Sequence, residues 1–428
     1  MEISQLYAIY ERHPTITTDS RNCTKDSIFL ALKGASFDGN KFASVALDKG
    51  CAYAIVDEKE FFDKHDGRMI LVDDVLTTFK ELAREHRRHF QIPVIGITGT
   101  NGKTTTKELI AAVLREKYNV MFTQGNFNND VGVPKTLFTM TPEHDIAVVE
   151  MGASHPGDIR KLVEYVEPTC GLITNVGRAH LQGFGSFEGV KATKGELYDF
   201  LVTHKAQVFL NADNENLRQM AIQRGISHPV TYGQSSSAEI RGEVVDSDPF
   251  LRFLWSGHEI KTHLIGSYNI DNMLAAIAVG TRFEVDDKQI IHALENYIPH
   301  NNRSVLEDTS RNRLIIDAYN ANPSSMTAAI DNFIHMKSRR KMAILGDMRE
   351  LGTVSIEEHQ KIVDMLETAG LEEVWLVGEE FAKTRCDFRK FQDIEEVKTF
   401  VATHQPTGYD ILIKGSNGIH LFDLPALL

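Results

Sequence analysis

Hydrophobic and polar positions follow two rhythms along this chain. Short apolar runs such as "SIFLAL", "AYAIV", "VIGI", "IAVVEM" and "GLITNV" read as strands, each ending in a polar turn. Between them lie longer stretches with apolar residues three and four positions apart. "VLTTFKELAREHRRHF" sets Val75, Leu76, Phe79, Leu82 and Ala83 at helical spacing, and "TTKELIAAVLREKY" does the same with Leu109, Ile110, Val113 and Leu114. This alternation predicts an α/β fold with mostly parallel sheets covered on both faces. Residues 238–265 break the rhythm: "AEIRGEVVD", "FLRFLW" and "EIKTHLI" alternate with period two, which predicts a small antiparallel patch at a sheet edge. "NIDNMLAAIAVGTRF" is helical again.

Punctuation divides the chain into three domains, as its 428 residues suggest. Pro93 interrupts before "VIGI", giving a boundary near residue 91, and "YIPHNNR" gives a second near residue 300. Residues 1–90 form a small N-terminal α/β domain and 91–300 a central domain. In 301–428 the rhythm restarts: strand "RLIID", helix near 324–336, strand "KMAIL", helix near 355–369, then strands "EVWLV" and "DILIK".

Composition narrows the function classes. The net charge of −13, without a long Lys/Arg run, argues against a general nucleic-acid binder, so anionic ligands must be met by local sites. The four cysteines are scattered, with no disulfide or metal spacing, which fits a reducing, cytoplasmic setting. "MEISQLYAIYERHP" does not read as a signal peptide, and no stretch approaches ~20 apolar residues, so no membrane span is expected.

The sharpest chemical signal is "VIGITGTNGKTTT" at 94–106. A strand stops at a turn built from Gly99, Thr100, Asn101 and Gly102; then come Lys103, Thr104 and Thr105 and a helix. Successive backbone N–H groups at such a turn can face an anion, Lys103 adds a point charge, and the Thr104 hydroxyl can reach a metal ion. The strict phosphate-loop pattern fails only at its first position, which is Ile97.

Other candidates also stand at strand ends. Glu150 closes "DIAVVEM", placed to hold Mg²⁺ on nucleotide phosphates or simply to be solvated. His180 follows a strand in "NVGRAHLQGFG"; Lys194 and Glu196 come on the next helix, where a lysine is by default a surface residue. Asn126 and Asn128 in "GNFNNDVGVP" read first as turn residues, with substrate contact as the alternative. Asp317, Asn320 and Asn322 in "IIDAYNANPSS" either line a site or lead into a helix cap. Lys414 and Ser416 in "LIKGSNG" follow the last strand in the same way.

Taken in order, "GTNGKTT", "VVEMGA", "NVGRAHLQGFGS…KGE", "GSYNIDNMLAA", "NNRS", "DAYNANPSSM", "LGDMRELG" and "LIKGS" resemble the Mur ligases of peptidoglycan synthesis, over nearly the whole chain. The N-terminal "TTDSRNCTKDSIFLALKGASFDGNKF" resembles the UDP-sugar-binding opening of that family. The resemblance implies three domains: one for the UDP-muramoyl peptide, a central ATPase domain, and a Rossmann-like domain closing over it. It implies ATP and two Mg²⁺ ions. Lys103 would contact the β/γ-phosphates, Thr104 and Glu150 would bind Mg²⁺, and His180 a second Mg²⁺. Lys194 stands where the family makes a carbamate with CO₂. Asn272 would face the adenine side of ATP, Arg303 the γ-phosphate, and Asp317 the ribose or adenine. Ser20, Arg21, Lys33 and Gly34 would hold the uridine diphosphate.

"DAYNANPSSM" and "LGDMRELG" point to the branch that joins D-Ala-D-Ala to UDP-N-acetylmuramoyl-tripeptide, acting as a monomer, and the Asp-Asn-Pro-Arg tetrad of the preceding ligase is absent. The rival readings are a sibling Mur ligase, a folylpolyglutamate-type ligase, or a nucleotide-driven switch ATPase. Two departures stand out. Tyr268 replaces a frequent His, and Asn417 replaces a frequent Arg after "KGS", which opens the question of how the dipeptide carboxylate is read.

Overall fold

In the computed structural model, which describes residues 1–34, 36–299, 305–338 and 340–428, the chain builds three sheets. The first has four parallel strands in chain order, Ile16–Thr17, Ile28–Leu30, Tyr53–Val56 and Met69–Leu71. Its strands are short and buried, and helices cover both faces. Leu6 and Tyr10 of helix Ile3–Arg12 and Phe79 and Leu82 of helix Val75–Arg88 pack on one face. Ala43, Ala46 and Leu47 of helix Ala43–Asp48 pack on the other. Asp74 caps the Val75–Arg88 helix by accepting from the Thr77 amide at 2.6 Å. At its far end Arg87 donates to the Val166 carbonyl at 3.1 Å, fastening the first sheet to the second.

The second sheet has nine strands. At its edge Ile240–Asp246, Phe250–Trp255 and His258–Ile265 pair antiparallel, as their period-two pattern predicts. The remaining pairings are parallel. Strand Val94–Thr98 lies between Ile146–Glu150 on one side and Cys170–Ile173 on the other. The strand order therefore reverses beside Val94–Thr98, and ligands of open α/β sheets sit at the carboxyl end of such a point. Both faces are apolar: Leu109, Ile110 and Val113 of the helix after the glycine turn share one core with Leu274 and Ile277 of helix Ile270–Arg282. Leu197 and Leu201 of helix Phe187–Thr203 pack with Val149 and Ile173 on the opposite face.

The third sheet has six strands. Arg313–Asp317, Asp410–Lys414, Lys341–Gly346, Glu373–Val377 and Arg389–Phe391 run parallel, and Val305–Asp308 pairs antiparallel with Arg313–Asp317. The last strand, Asp410–Lys414, inserts between Arg313–Asp317 and Lys341–Gly346. The carboxyl ends of these three strands thereby converge, and they face the carboxyl ends of the central sheet. Among the described residues, no helix is long and apolar enough to cross a membrane.

Candidate active site

A cleft of about 860 Å³ opens where the two larger sheets meet, lined from both sides. Its floor is the glycine turn. Strand Val94–Thr98 is wholly buried, and the chain leaves it through Gly99 at φ 148°. A Cβ there would stand 2.0 Å from the Thr174 hydroxyl. Gly102, at φ 75°, starts helix Lys103–Arg115, and its missing Cβ leaves room for the Asn272 side chain. Gly99→Ala is expected to lower stability by about 1–3 kcal/mol and to abolish nucleotide binding, measured by denaturant unfolding and by calorimetry with ADP.

The structure modifies the expected anion cradle. The amides of Thr100 and Asn101 do not face the cleft as donors to a ligand. They donate to the Asn175 carbonyl and to Asn175 Oδ1, both at 3.0 Å. Asn175 Nδ2 and the Thr174 hydroxyl return bonds to the Asn101 carbonyl at 3.1 and 2.6 Å. Asn175 thus clamps the loop, so the amides of Thr100 and Asn101 are not available to an anion. In the first helical turn the amides of Thr104 and Thr105 donate to no acceptor among the described residues. Lys103 folds back over the loop, donating to the carbonyls of Gly99 at 3.0 Å and Thr100 at 2.9 Å.

Glu150 is completely buried at the end of its strand. Its Oε1 accepts from Asn128 Nδ2 at 2.7 Å and from the Thr104 hydroxyl at 3.3 Å. Its Oε2 has no partner among the described residues. A buried carboxylate oxygen left bare beside a hydroxyl is a donor set that fits a hard cation. Asn128 accordingly does more than turn the chain: it orients this carboxylate, while Asn126 lines the cleft wall.

Lys194, read by default as a surface residue, is instead buried on helix Phe187–Thr203. Its Nζ lies 3.5 Å from the Ala153 carbonyl and 5.6 Å from the centre of the Phe184 ring. Burial, reinforced by the charge of Lys103, pushes its amine well below the ordinary lysine range. His180 adopts a left-handed conformation at φ 50°, and its Nδ1 meets Glu350 in the loop after strand Lys341–Gly346. Burial lowers its pKa while Glu350 opposes the shift. Asp271 beside Asn272 is raised to about 6 by burial, against a hydrogen bond from Asn211.

The third sheet contributes the opposite wall. Lys414, almost wholly buried, donates to Asp317 at 2.5 Å and to the Asn320 carbonyl at 3.3 Å. Asn322 caps helix Pro323–His335 by accepting from the Ser325 amide. Its Nδ2 also reaches Asn101 Oδ1 at 2.7 Å, and the Ser324 hydroxyl accepts from the Arg178 amide at 3.1 Å.

Of the sequence candidates, Thr100, Asn101, Gly102, Lys103, Thr104, Thr105, Asn126, Asn128, Glu150, His180, Asn272, Asp317, Asn320 and Lys414 share the cleft. Asn272 is committed to the scaffold, accepting from the Thr106 hydroxyl at 2.9 Å and donating to Asn269 Oδ1 at 2.8 Å. Ser416 is buried outside the lining, accepting from the Arg349 amide at 3.1 Å. Ser20, Arg21, Lys33 and Gly34 stand in turns beside the strands of the first sheet and do not line the cleft. Arg21 pairs with Asp19, whose carboxyl it holds at about 2. Lys33 pairs with Asp57 at 3.0 Å and Glu58 at 2.7 Å, and Gly34 sits under the exposed Phe37 ring. Arg303 lies outside the described residues. Sequence reasoning passed over Asn175, Asp271 and Glu350, although each stands in or beside a stretch that carries the resemblance.

Known proteins are similar to this chain in sequence and in fold. Family profiles match residues 14–95 (Mur ligase family, catalytic domain), 97–280 (Mur ligase middle domain) and 303–416 (Mur ligase, glutamate ligase domain). A UDP-N-acetylmuramoyl-tripeptide–D-alanyl-D-alanine ligase of Synechocystis is 33% identical over 95% of this chain and 90% of its own length. The crystal structure of MurF from Acinetobacter baumannii superposes with a TM-score of 0.88 at 28% identity, covering 96% of this chain and 92% of that one. MurF ligase from Thermotoga maritima, solved in complex with ADP, gives 0.85 at 26% identity and covers 96% of each chain. With family matches over 14–95, 97–280 and 303–416 and a 33% identical relative over 95% of its length, the chain belongs to the Mur ligase family.

Proposed function

We propose that this chain uses ATP to join D-Ala-D-Ala to UDP-N-acetylmuramoyl-tripeptide, forming the pentapeptide precursor of peptidoglycan. The curated relatives carry that activity in their names. The observation that carries the reading in this chain is the meeting of a phosphate-type turn with a bare buried carboxylate and a facing substrate wall in one cleft. We assign residues 1–90 to the UDP-muramoyl peptide, 91–300 to ATP, and 301–428 to closure over the reacting groups.

A free carboxylate is a poor electrophile. Transfer of the γ-phosphoryl group from ATP to the tripeptide carboxylate makes an acyl phosphate and ADP. The dipeptide amine then attacks the acyl carbon, a proton leaves the nitrogen, and phosphate departs. The protein's part is placement and charge neutralisation. Lys103 stands over the turn where the terminal phosphates sit, and the first-turn amides of Thr104 and Thr105 receive phosphate oxygens. Asn175 and Asn322 hold the turn from two sides, so it does not reorganise as charge moves. Asp317 would meet the ribose or adenine and Asn320 the peptide substrate, and the family resemblance assigns Arg303 to the γ-phosphate.

Thr104 and Glu150 would hold a Mg²⁺ ion, which supplies neutralisation of phosphate charge when bound. His180 and Lys194 would serve a second ion. As an amine Lys194 repels a cation, so this role requires its carbamate. The low-pKa free amine adds to CO₂, forming a C–N bond and releasing a proton to water, and the product is an anion. Glu150→Gln removes the charge at the first site. It is expected to weaken Mg²⁺-dependent ADP binding by about 10–100-fold or more, read by calorimetry across a Mg²⁺ series.

The test of the reaction is phosphate release from ATP with each substrate withheld in turn. Release that needs both the UDP-linked tripeptide and D-Ala-D-Ala supports the reading. Release with neither, stimulated by a protein partner, would favour a switch ATPase.

A further inference from the structure

Resting on the ligase reading, we infer that Arg349 binds the C-terminal carboxylate of the incoming dipeptide. Arg349 stands in the loop after strand Lys341–Gly346, and Asn417 and Gly418 stand in the loop after strand Asp410–Lys414. These strands are parallel neighbours, so both loops leave the sheet at the end that faces the cleft. The Arg349 guanidinium crosses from the first loop to the second. It donates to the Gly418 carbonyl at 2.8 Å, and a Cβ on Gly418 would stand only 2.3 Å from it. The charge thus lies beside Asn417, the neutral residue that follows "KGS".

The mounting is rigid. The Arg349 amide donates to the Ser416 hydroxyl at 3.1 Å, and the Ser416 amide donates to the Asp347 carbonyl at 3.2 Å. The Asp347 carboxylate accepts the amides of Glu380 and Phe381, each at 2.9 Å. The guanidinium itself is exposed and is paired to no carboxylate among the described residues. Neighbouring cations are committed: Lys414 to Asp317 at 2.5 Å and Arg178 to Glu358 at 3.6 Å.

An exposed guanidinium with donors to spare, held next in the chain to the cleft-lining Glu350, is suited to bidentate capture of a carboxylate. The reach agrees with a dipeptide. Glu350, the next residue, lines the cleft, and two extended residues span about 7 Å. On this inference the amine sits in the cleft beside Glu350 and the far carboxylate about 7 Å away, on Arg349. A carboxylate-free acceptor loses this contact, which makes Arg349 a specificity determinant for an acceptor ending two residues from its amine.

The test compares D-Ala-D-Ala with its C-terminal amide in the intact enzyme and in Arg349→Ala, Arg349→Lys and the double variant Arg349→Ala/Asn417→Arg. In the parent, the amide should show a KM about 10–100-fold higher than the dipeptide, with KM for ATP unchanged. Arg349→Ala should raise KM for the dipeptide by a similar factor and treat dipeptide and amide alike. Arg349→Lys should fall between, and the double variant should regain discrimination. Equal use of amide and dipeptide by the parent would overturn the inference without any variant. So would an Arg349→Ala enzyme that keeps its discrimination, or one whose KM for ATP rises as much as that for the dipeptide. A parent enzyme that forms no amide with D-Ala-D-Ala would instead overturn the ligase reading itself.

Discussion

Lys103→Ala is expected to slow phosphoryl transfer by about 10²–10³ while leaving the protein folded. The Lys103 ammonium lies over the glycine turn, bonded to the carbonyls of Gly99 and Thr100. Thr100 lines the cleft, so water replaces the donor lost to its carbonyl; Gly99 is buried behind it, so the unfolding midpoint should fall only by the loss of about one hydrogen bond. Under the proposed reading, what cannot be replaced is a fixed positive charge close to the β/γ-bridging oxygen as it gains negative charge. The substitution has a second readout. Lys103 is one cause of the low Lys194 pKa, so its removal should raise that pKa and lower the reactivity of Lys194 towards CO₂. Single-turnover ADP formation, with thermal unfolding as the control, checks the first effect; turnover at the parent's rate would refute the assigned role.

Lys194→Ala is expected to lose activity by a comparable factor for a different reason. A fully buried amine 3.5 Å from one carbonyl contributes little to folding, and as a cation it would be costly. Its folded pKa is held below the ordinary 10.5, so the unfolded state binds more protons between those two values. With CO₂ excluded, so that the amine is free, stability should therefore rise with pH across that window in the parent, and the alanine variant should lack this slope. Under the proposed reading its catalytic worth lies in the carbamate. Formate, acetate or propionate entering the vacated space should restore part of the rate in Lys194→Ala and have no such effect on the parent. Full activity of the variant without any added carboxylate, or of the parent stripped of CO₂, would count against the carbamate.

Local pattern made the elements legible because strand and helix periods are local properties. "KMAIL", "EVWLV" and "DILIK" are buried runs, and each forms a strand of the third sheet. Val305–Asp308 escaped notice because half of its four residues are acidic and its pairing comes from the neighbouring strand. The strand order was also hidden: nothing within "DILIK" says that it inserts between two strands from earlier in the chain. The site shows the same division. Gly99, Gly102 and Lys103 announce themselves by sequence spacing. Asn175, Asn322 and Glu350 work through partners 74, 221 and 170 positions away. Lys194 was misjudged because helical position alone does not reveal that both neighbouring layers close over it.

The most direct measurement follows an oxygen atom. UDP-N-acetylmuramoyl-tripeptide labelled with ¹⁸O in its reacting carboxylate is incubated with ATP, Mg²⁺, D-Ala-D-Ala and the purified protein. If the carboxylate is phosphorylated before the amine attacks, each new amide bond delivers one labelled oxygen into the released phosphate. Phosphate released without label, or no pentapeptide at all, would contradict the account.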